Sequence, residues 1–311
     1  MTSLAFVFPG QGSQSVGMLN AWGDHTAVRQ TLEEASDALQ EDVGALIQNG
    51  PKEQLDLTTN TQPVMLVAGV AVYRAWLFEF GFTPSLLAGH SLGEYSALVA
   101  AGALSLADAI LLVRFRAQAM QEAVPVGQGA MAAILGLEAP IIQQTCEAVS
   151  ASGWLVEAAN FNDLKQTVIA GTKEGVDRAC AFLKEAGAKR TLLLPVSAPF
   201  HSRLMKPAAE RLKTRLQSVP FHTPNISVIN NIDVAIETDT GLIREALYRQ
   251  AFGPVRWVEV IQSMAARGVS HIVECGPGKV LAGMTQRIAP QQAAGAIYDP
   301  ATLGEVKALL A

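Results

Sequence analysis

Ser85-Leu86-Leu87-Ala88-Gly89-His90-Ser91-Leu92-Gly93-Glu94-Tyr95 decides the fold. A short apolar run enters a turn with a serine between two glycines, and a helical pattern from Glu94 to Ala101 leaves it. Small residues at 89 and 93 permit a sharp strand-to-helix turn that exposes the Ser91 hydroxyl, and the positive end of the helix dipole favours negative charge there. Taken alone, the Gly-x-Ser-x-Gly pattern also describes a glycine-rich turn with a capping serine. A strand before it and a helix after it are what a nucleophile elbow requires.

The alternation of strand and helix extends outward from this turn. Leu4 to Phe8 is a continuous apolar run ending at Pro9-Gly10, which predicts a buried parallel strand. Helical patterns are expected near residues 27–48, 62–80, 94–101 and 106–122, and strands alternating with helices imply a parallel sheet covered on both faces. The middle of the chain has a different rhythm. Strand 130–135, helix 139–151, strands 154–158 and 166–170, helix 174–186 and strand 189–194 give β-α-β-β-α-β, the order of a small ferredoxin-like domain. Pro125 and Gly127-Gln128-Gly129 precede it, and Pro195 to Pro199 follow it. The larger pattern then resumes with a helix from Ser202 to about Val219, a strand at 226–229, helices at 241–249 and 255–267, and a strand at 271–274 that runs into Cys275-Gly276-Pro277-Gly278. The Ala/Gln-rich stretch after Pro290 reads as a surface loop before a last helix started by Asp299-Pro300. The expected architecture is α/β: a hydrolase-like parallel-sheet core domain formed by residues 1–124 and 198–311, with an inserted ferredoxin-like small domain at 125–197.

Composition narrows the function classes. Half of the 311 residues are apolar and 16% are charged, which describes a compact globule and not a disordered chain. A formal net charge of −5 argues against a nucleic-acid-coating protein, which needs clustered Lys and Arg. Cys146, Cys180 and Cys275 are an odd number at wide spacing, fitting reduced intracellular thiols and no disulfide or metal framework. The apolar start of the chain stops at Pro9, too short for a signal peptide, and Leu57 to Tyr73 reads as a buried helix after a polar turn, not a membrane span. A cytoplasmic protein without nucleic-acid or membrane partners is expected.

A serine nucleophile needs a base, and five histidines are available. Besides His25, His90 adjoins Ser91, where neighbouring side chains diverge; His271 begins a buried strand; His222 lies between prolines in a surface loop. His201 ranks first because Ser197-Ala198-Pro199-Phe200-His201-Ser202 is a boundary loop where the chain returns from the inserted segment. The loop Phe8 to Gln14 lacks the Lys and Thr of a phosphate-binding loop and the third glycine of a dinucleotide fingerprint. Its exposed backbone suits an oxyanion donor at Gln11, beside the N–H of Leu92, with a simple turn as the alternative. Arg114 and Arg116 lie about 200° apart on an apolar helix, so at most one faces the core. A core-facing arginine is costly unless it meets a carboxylate, whereas two arginines snorkelling at the surface would carry no such cost.

These segments, together with Met120-Gln121-Glu122-Ala123-Val124-Pro125, Asn160-Phe161-Asn162 and Val273 to Gly278, resemble the malonyl-CoA:acyl-carrier-protein transacylases of bacterial fatty-acid synthesis, in order from residue 4 to about 289. The resemblance implies that Ser91 is the acylated nucleophile, His201 its base, and Gln250 the residue whose backbone carbonyl orients the histidine. It also implies that Gln11 and Leu92 supply the oxyanion hole, that Arg116 clamps the free malonyl carboxylate, and that Met120, Asn160, Asn162 and Phe200 line the substrate site. Phe200 stands where the wider family varies between Phe and Ser, with Phe accompanying malonyl over methylmalonyl. Malonyl-CoA and acyl carrier protein are the implied partners, with no metal or cofactor and a monomeric chain. Lys189, Arg190 and Arg287 are candidate contacts for the acidic carrier. The alternatives are an acyltransferase of a polyketide or specialised-lipid pathway, a serine thioester hydrolase, whose histidine would come later in the chain, and a non-catalytic carrier-binding module.

Overall fold

The computed structural model describes residues 3–310; Met1, Thr2 and Ala311, at the ends of the expected core segments, lie outside the described residues. The chain begins with strand β1 (Leu4–Phe8), then helices α1 (Thr26–Leu39), α2 (Val43–Asn49), α3 (Lys52–Leu55) and α4 (Thr58–Phe80). Strand β2 (Leu86–Gly89), α5 (Gly93–Ala100) and α6 (Leu106–Glu122) follow. Next come β3 (Gly129–Leu135), α7 (Ala139–Ala151), β4 (Val156–Asp163), β5 (Gln166–Thr172), α8 (Lys173–Glu185) and β6 (Arg190–Leu193). The last part holds α9 (Lys206–Ser218), β7 (Ser227–Ile229), α10 (Thr240–Gln250), α11 (Trp257–Ala266), β8 (His271–Cys275), α12 (Val280–Ile288), β9 (Ala293–Ile297) and α13 (Pro300–Leu310).

Two sheets result. The first is parallel throughout, in the order β7-β2-β1-β8-β9, with β1 and β2 buried along their whole length as a two-face-covered sheet demands. The second, β4-β5-β3-β6, is antiparallel and backed by α7 and α8, whose Ile142, Cys146, Val176 and Leu183 close a separate apolar cluster. The β-α-β-β-α-β order of this sheet is as the sequence pattern predicts. On the first sheet, Phe6 of β1 meets Trp76 and Tyr73 of α4 edge-on at 5.3 and 6.1 Å. By length and composition α4 alone among the described residues could cross a membrane, but 72% of its apolar window is buried, which makes it the core helix.

Four local expectations need correction. The helix expected over 27–48 is two, because Gln40 turns left-handed (φ 55°) and Asp42 caps a new start by accepting from the Ala45 N–H at 2.8 Å. The helix expected from Ser202 is α9, which starts at Lys206 after a short 3-10 turn, Arg203–Met205. The surface loop after Pro290 is instead β9. Its small residues read as irregular until the parallel pairing with β8 and close packing of Gly295 under Val306 are present. The strand expected to end at 158 runs on to Asp163 through register shifts near Ala158/Asn160 and Phe161/Asp163. That extension ties the second sheet to the segment between α10 and α11, since the Phe161 N–H donates to the Val255 carbonyl at 2.9 Å and the Val255 N–H to the Ala159 carbonyl at 2.9 Å.

Candidate active site

The carboxyl ends of β1 and β2 lie side by side, with Phe8 paired to Gly89, so the loops leaving them converge where open parallel sheets bind ligands. The turn after β2 is strained as an elbow must be: Ser91 has φ 52°, in the left-handed region that favours glycine. Its flanking glycines are sterically required. A Cβ at residue 89 would stand 1.8 Å from the Gly93 carbonyl carbon, and one at residue 93 would stand 2.1 Å from the Phe8 carbonyl oxygen. Asn231, just past β7, braces the turn by accepting from the Ser91 N–H at 2.7 Å and donating to the Gly89 carbonyl at 2.8 Å.

Ser91 Oγ lies 2.7 Å from His201 Nε2, a 110-residue separation closed by the fold. His201 Nδ1 donates to the backbone carbonyls of Gln250 at 2.9 Å and Gly253 at 3.2 Å. Both partners can only accept, so the neutral ring carries its proton on Nδ1 and presents the Nε2 lone pair to the serine. Burial pushes the imidazole pKa down to about 3, and the Arg116 charge pushes the same way against the two carbonyls. The ring therefore stays neutral at physiological pH. For a reaction that uses His201 Nε2 as base, the acid limb of kcat/KM should lie well below the ordinary imidazole value near 6.5, because protonating Nε2 removes the base and the pKa is lowered. A quench-flow pH profile checks this; a limb centred near pH 6.5 would contradict it.

Arg116 on α6 is the core-facing arginine, 2% exposed, while Arg114 forks outward onto Glu41 at 2.9 and 2.6 Å. Arg116 donates from Nη1 to Gln62 Oε1 at 2.7 Å and from Nη2 to Gln250 Oε1 and Ser91 Oγ, both at 3.2 Å. Tyr95 lies with its ring centroid 5.5 Å from the guanidinium carbon. All three acceptors are neutral, so the charge has no salt-bridge partner among the described residues.

A cavity of about 110 Å³ opens over this cluster, lined by Gln11, Leu92, Asn160, Phe200 and His201 with Ser91 and Arg116 at its floor. Gln11 and Leu92, whose N–H groups donate to no acceptor among the described residues, both line this cavity. A larger cleft of about 610 Å³ adjoins it, sharing Gln11, His90, Leu194 and Val196, and is walled by the Gly10–Gln14 loop, Asn162 of β4 and Val280 and Met284 of α12. His90 is not positioned as a base. Its Nε2 meets Asn162 Oδ1 at 2.7 Å and its ring stands edge-on to Trp257. Met120 is brought near but not into the cavity: it is 1% exposed, with its sulfur 4.0 Å from Gln62 Nε2. Of the candidate carrier contacts, all exposed, Arg287 is paired with Asp163, and Lys189 and Arg190 have no ion pair among the described residues.

Three residues of the cluster escaped the sequence reading: Gln62, Glu94 and Asn231. Gln62 is a polar side chain in an apolar helix and Glu94 a carboxylate beside the elbow; each was a visible signal of a buried polar partner.

Comparison with known proteins agrees with this geometry. Residues 5–302 match the acyl transferase domain family, past the residue 289 at which the motif resemblance stops. The malonyl CoA-acyl carrier protein transacylase of Salmonella typhimurium is 53% identical over 304 residues, covering 97% of this chain and 98% of that protein. The crystal structure of the acyl-carrier-protein S-malonyltransferase from Burkholderia pseudomallei 1710b superposes with a TM-score of 0.96 at 60% identity, covering 98% and 99% of the two chains. A malonyl-transacylase solved in complex with its type II PKS acyl-carrier protein superposes at 0.95 with 50% identity, covering 97% and 98%. With the nucleophile elbow, the serine–histidine pair and near-complete alignment in agreement, the chain belongs to the acyl transferase domain family.

Proposed function

We propose that the protein moves a malonyl group from malonyl-CoA to the phosphopantetheine thiol of acyl carrier protein through a malonyl-Ser91 intermediate. The observation that carries this is the buried Arg116 guanidinium, held by neutral acceptors only, 3.2 Å from the nucleophile. A substrate carboxylate two carbon–carbon bonds beyond the acyl carbonyl can reach it while that carbonyl sits on Ser91. Ser91 Oγ attacks the thioester carbon as its proton passes to His201 Nε2. The oxyanion lies against the Gln11 and Leu92 N–H groups, and collapse expels the CoA sulfur, which takes the proton from His201. In the second half the carrier thiol gives its proton to His201, its sulfur attacks the malonyl ester, and Ser91 leaves as the alcohol. No cofactor is needed, since CoA and malonyl-CoA are product and substrate.

Electrostatics favour the same order of events. The malonyl carboxylate offsets the Arg116 charge that depresses His201, so basicity rises when substrate binds. Phe200 lines the cavity and leaves little room for an α-methyl group, favouring malonyl over methylmalonyl. We take the larger cleft as the pantetheine path, the exposed Lys189 and Arg190 as candidate contacts for the acidic carrier, and residues 125–197 as the small domain covering it. We take the chain to work in the cytoplasm as a monomer. Incubation with malonyl-CoA and holo acyl carrier protein, followed by mass analysis of the carrier, tests this. Malonyl-carrier accumulating well ahead of free malonate is expected; malonate with unmodified carrier would establish a thioester hydrolase instead.

A further inference from the structure

We propose that Glu94 is a positioning residue for acyl transfer, holding the Gln250 side chain and the Asn231 backbone so that Arg116 and Ser91 keep their reactive placement. The proposal rests on the malonyl transfer put forward above. Glu94 lies in the first turn of α5, three residues past the nucleophile; it is 2% exposed and does not line the cavity. A single carboxylate oxygen, Oε2, accepts from Gln250 Nε2 at 3.0 Å and from the Asn231 N–H at 2.9 Å.

The chemistry of the amide makes the first bond consequential. A glutamine side chain can be turned end for end with little change of shape, and only its neighbours decide which end is oxygen. Gln250 stands between groups that leave no choice. The Ser91 carbonyl, at 3.0 Å, can only accept, and Glu94 Oε2 already accepts from the Asn231 N–H, so the NH₂ faces them. The Arg116 guanidinium can only donate, so Oε1 faces it at 3.2 Å. Without the carboxylate the amide loses one of the two acceptors that hold it, and an inverted Gln250 would present NH₂ to a buried cation. The second bond reaches the elbow from behind: the asparagine whose backbone Glu94 holds is the one that grips both the Ser91 N–H and the Gly89 carbonyl.

Packing alone does not account for a carboxylate here. Burial raises the Glu94 pKa to about 7 despite the Gln250, Asn231 and Arg116 interactions that lower it, so the group is held at a cost that an apolar residue would avoid. A charge placed only for the helix dipole would act as well from an exposed position on the first turn.

The test compares kcat/KM for Ser91 acylation by malonyl-CoA and by acetyl-CoA, with the melting temperature recorded for each variant. In Glu94→Leu, which removes the acceptor, the malonyl-to-acetyl ratio is expected to fall roughly tenfold, within the range of coupling between contacting residues, with most of the loss in KM for malonyl-CoA; Glu94→Gln, whose amide oxygen can accept the same two bonds, should restore most of it. In a Gln250→Ala background, which keeps the carbonyl that orients His201, Glu94→Leu should leave the ratio unchanged. Equal losses for both substrates in Glu94→Leu, or the same tenfold fall in the Gln250→Ala background, would overturn the proposal and leave Glu94 a structural residue. If Glu94→Leu does not fold, Glu94→Asp keeps the charge but withdraws it by one methylene, and a wild-type ratio there would be equally contrary. Wild-type enzyme that forms no malonyl-Ser91 would instead defeat the malonyl transfer reading itself, and the proposal with it.

Discussion

Ser91→Ala is expected to abolish the acyl-enzyme and to lower transfer by roughly 10³- to 10⁶-fold, the range in which loss of a serine nucleophile falls in enzymes of this logic. The size follows from the geometry. Ser91 is the atom His201 Nε2 faces at 2.7 Å, and the other residues of the cluster hold proton, charge or orientation without offering a second nucleophile. Alanine at a left-handed position with φ 52° carries the same strain as serine, and Asn231 grips the backbone N–H and not the hydroxyl, so the variant should fold. The oxyanion donors at Gln11 and Leu92 remain and would sustain a weak hydrolysis above the uncatalysed rate. Assay of carrier acylation beside malonate release measures both; transfer at near wild-type rate would refute covalent catalysis at this residue.

The second large effect is one of selectivity. Arg116→Ala should lower kcat/KM for malonyl-CoA by roughly 10²- to 10⁴-fold, as removal of one partner from a desolvated charge pair costs about 3–5 kcal/mol. Acetyl-CoA, which has no carboxylate to leave unpaired, should react no more slowly than with wild type. Gln62 and Gln250 turn their oxygens toward the guanidinium, and in the variant these become buried acceptors facing an apolar methyl. Some stability is lost with them, so melting temperatures belong beside the kinetics. Competition between the two thioesters reads the ratio directly. Retained malonyl preference in a folded variant would mean that selectivity lies elsewhere in the cavity.

Much of this organisation was legible in the chain because its signals are local. The apolar run of β1, the glycines at 89 and 93, and the alternation that gives the second sheet each belong to a short window, and the structure shows each of them. His201 could be ranked above the other histidines by its place in a boundary loop, and it lies on Ser91. Of Arg114 and Arg116, helical geometry says that only one faces inward; the resemblance, not the spacing, picked Arg116. What local patterns miss is decided by distant partners. Strand β9 exists because β8 lies beside it, and β4 extends because Val255 pairs with its far end. Gln62 on α4, Glu94 on α5 and Asn231 after β7 become one network only when three separate elements meet around Arg116 and Ser91. Gln250 meets His201 through its backbone carbonyl, a group every residue carries, so no residue-type signal could single out that contact.

Covalent transfer through Ser91, gated by a carboxylate clamp, is tested most directly by intact-protein mass after a brief exposure to malonyl-CoA, with peptide mapping of any adduct. The expected result is a single malonyl adduct, mapped to the peptide containing Ser91, that is discharged on addition of holo acyl carrier protein. An unmodified protein with free CoA and malonate accumulating, or an adduct on another residue, would contradict it.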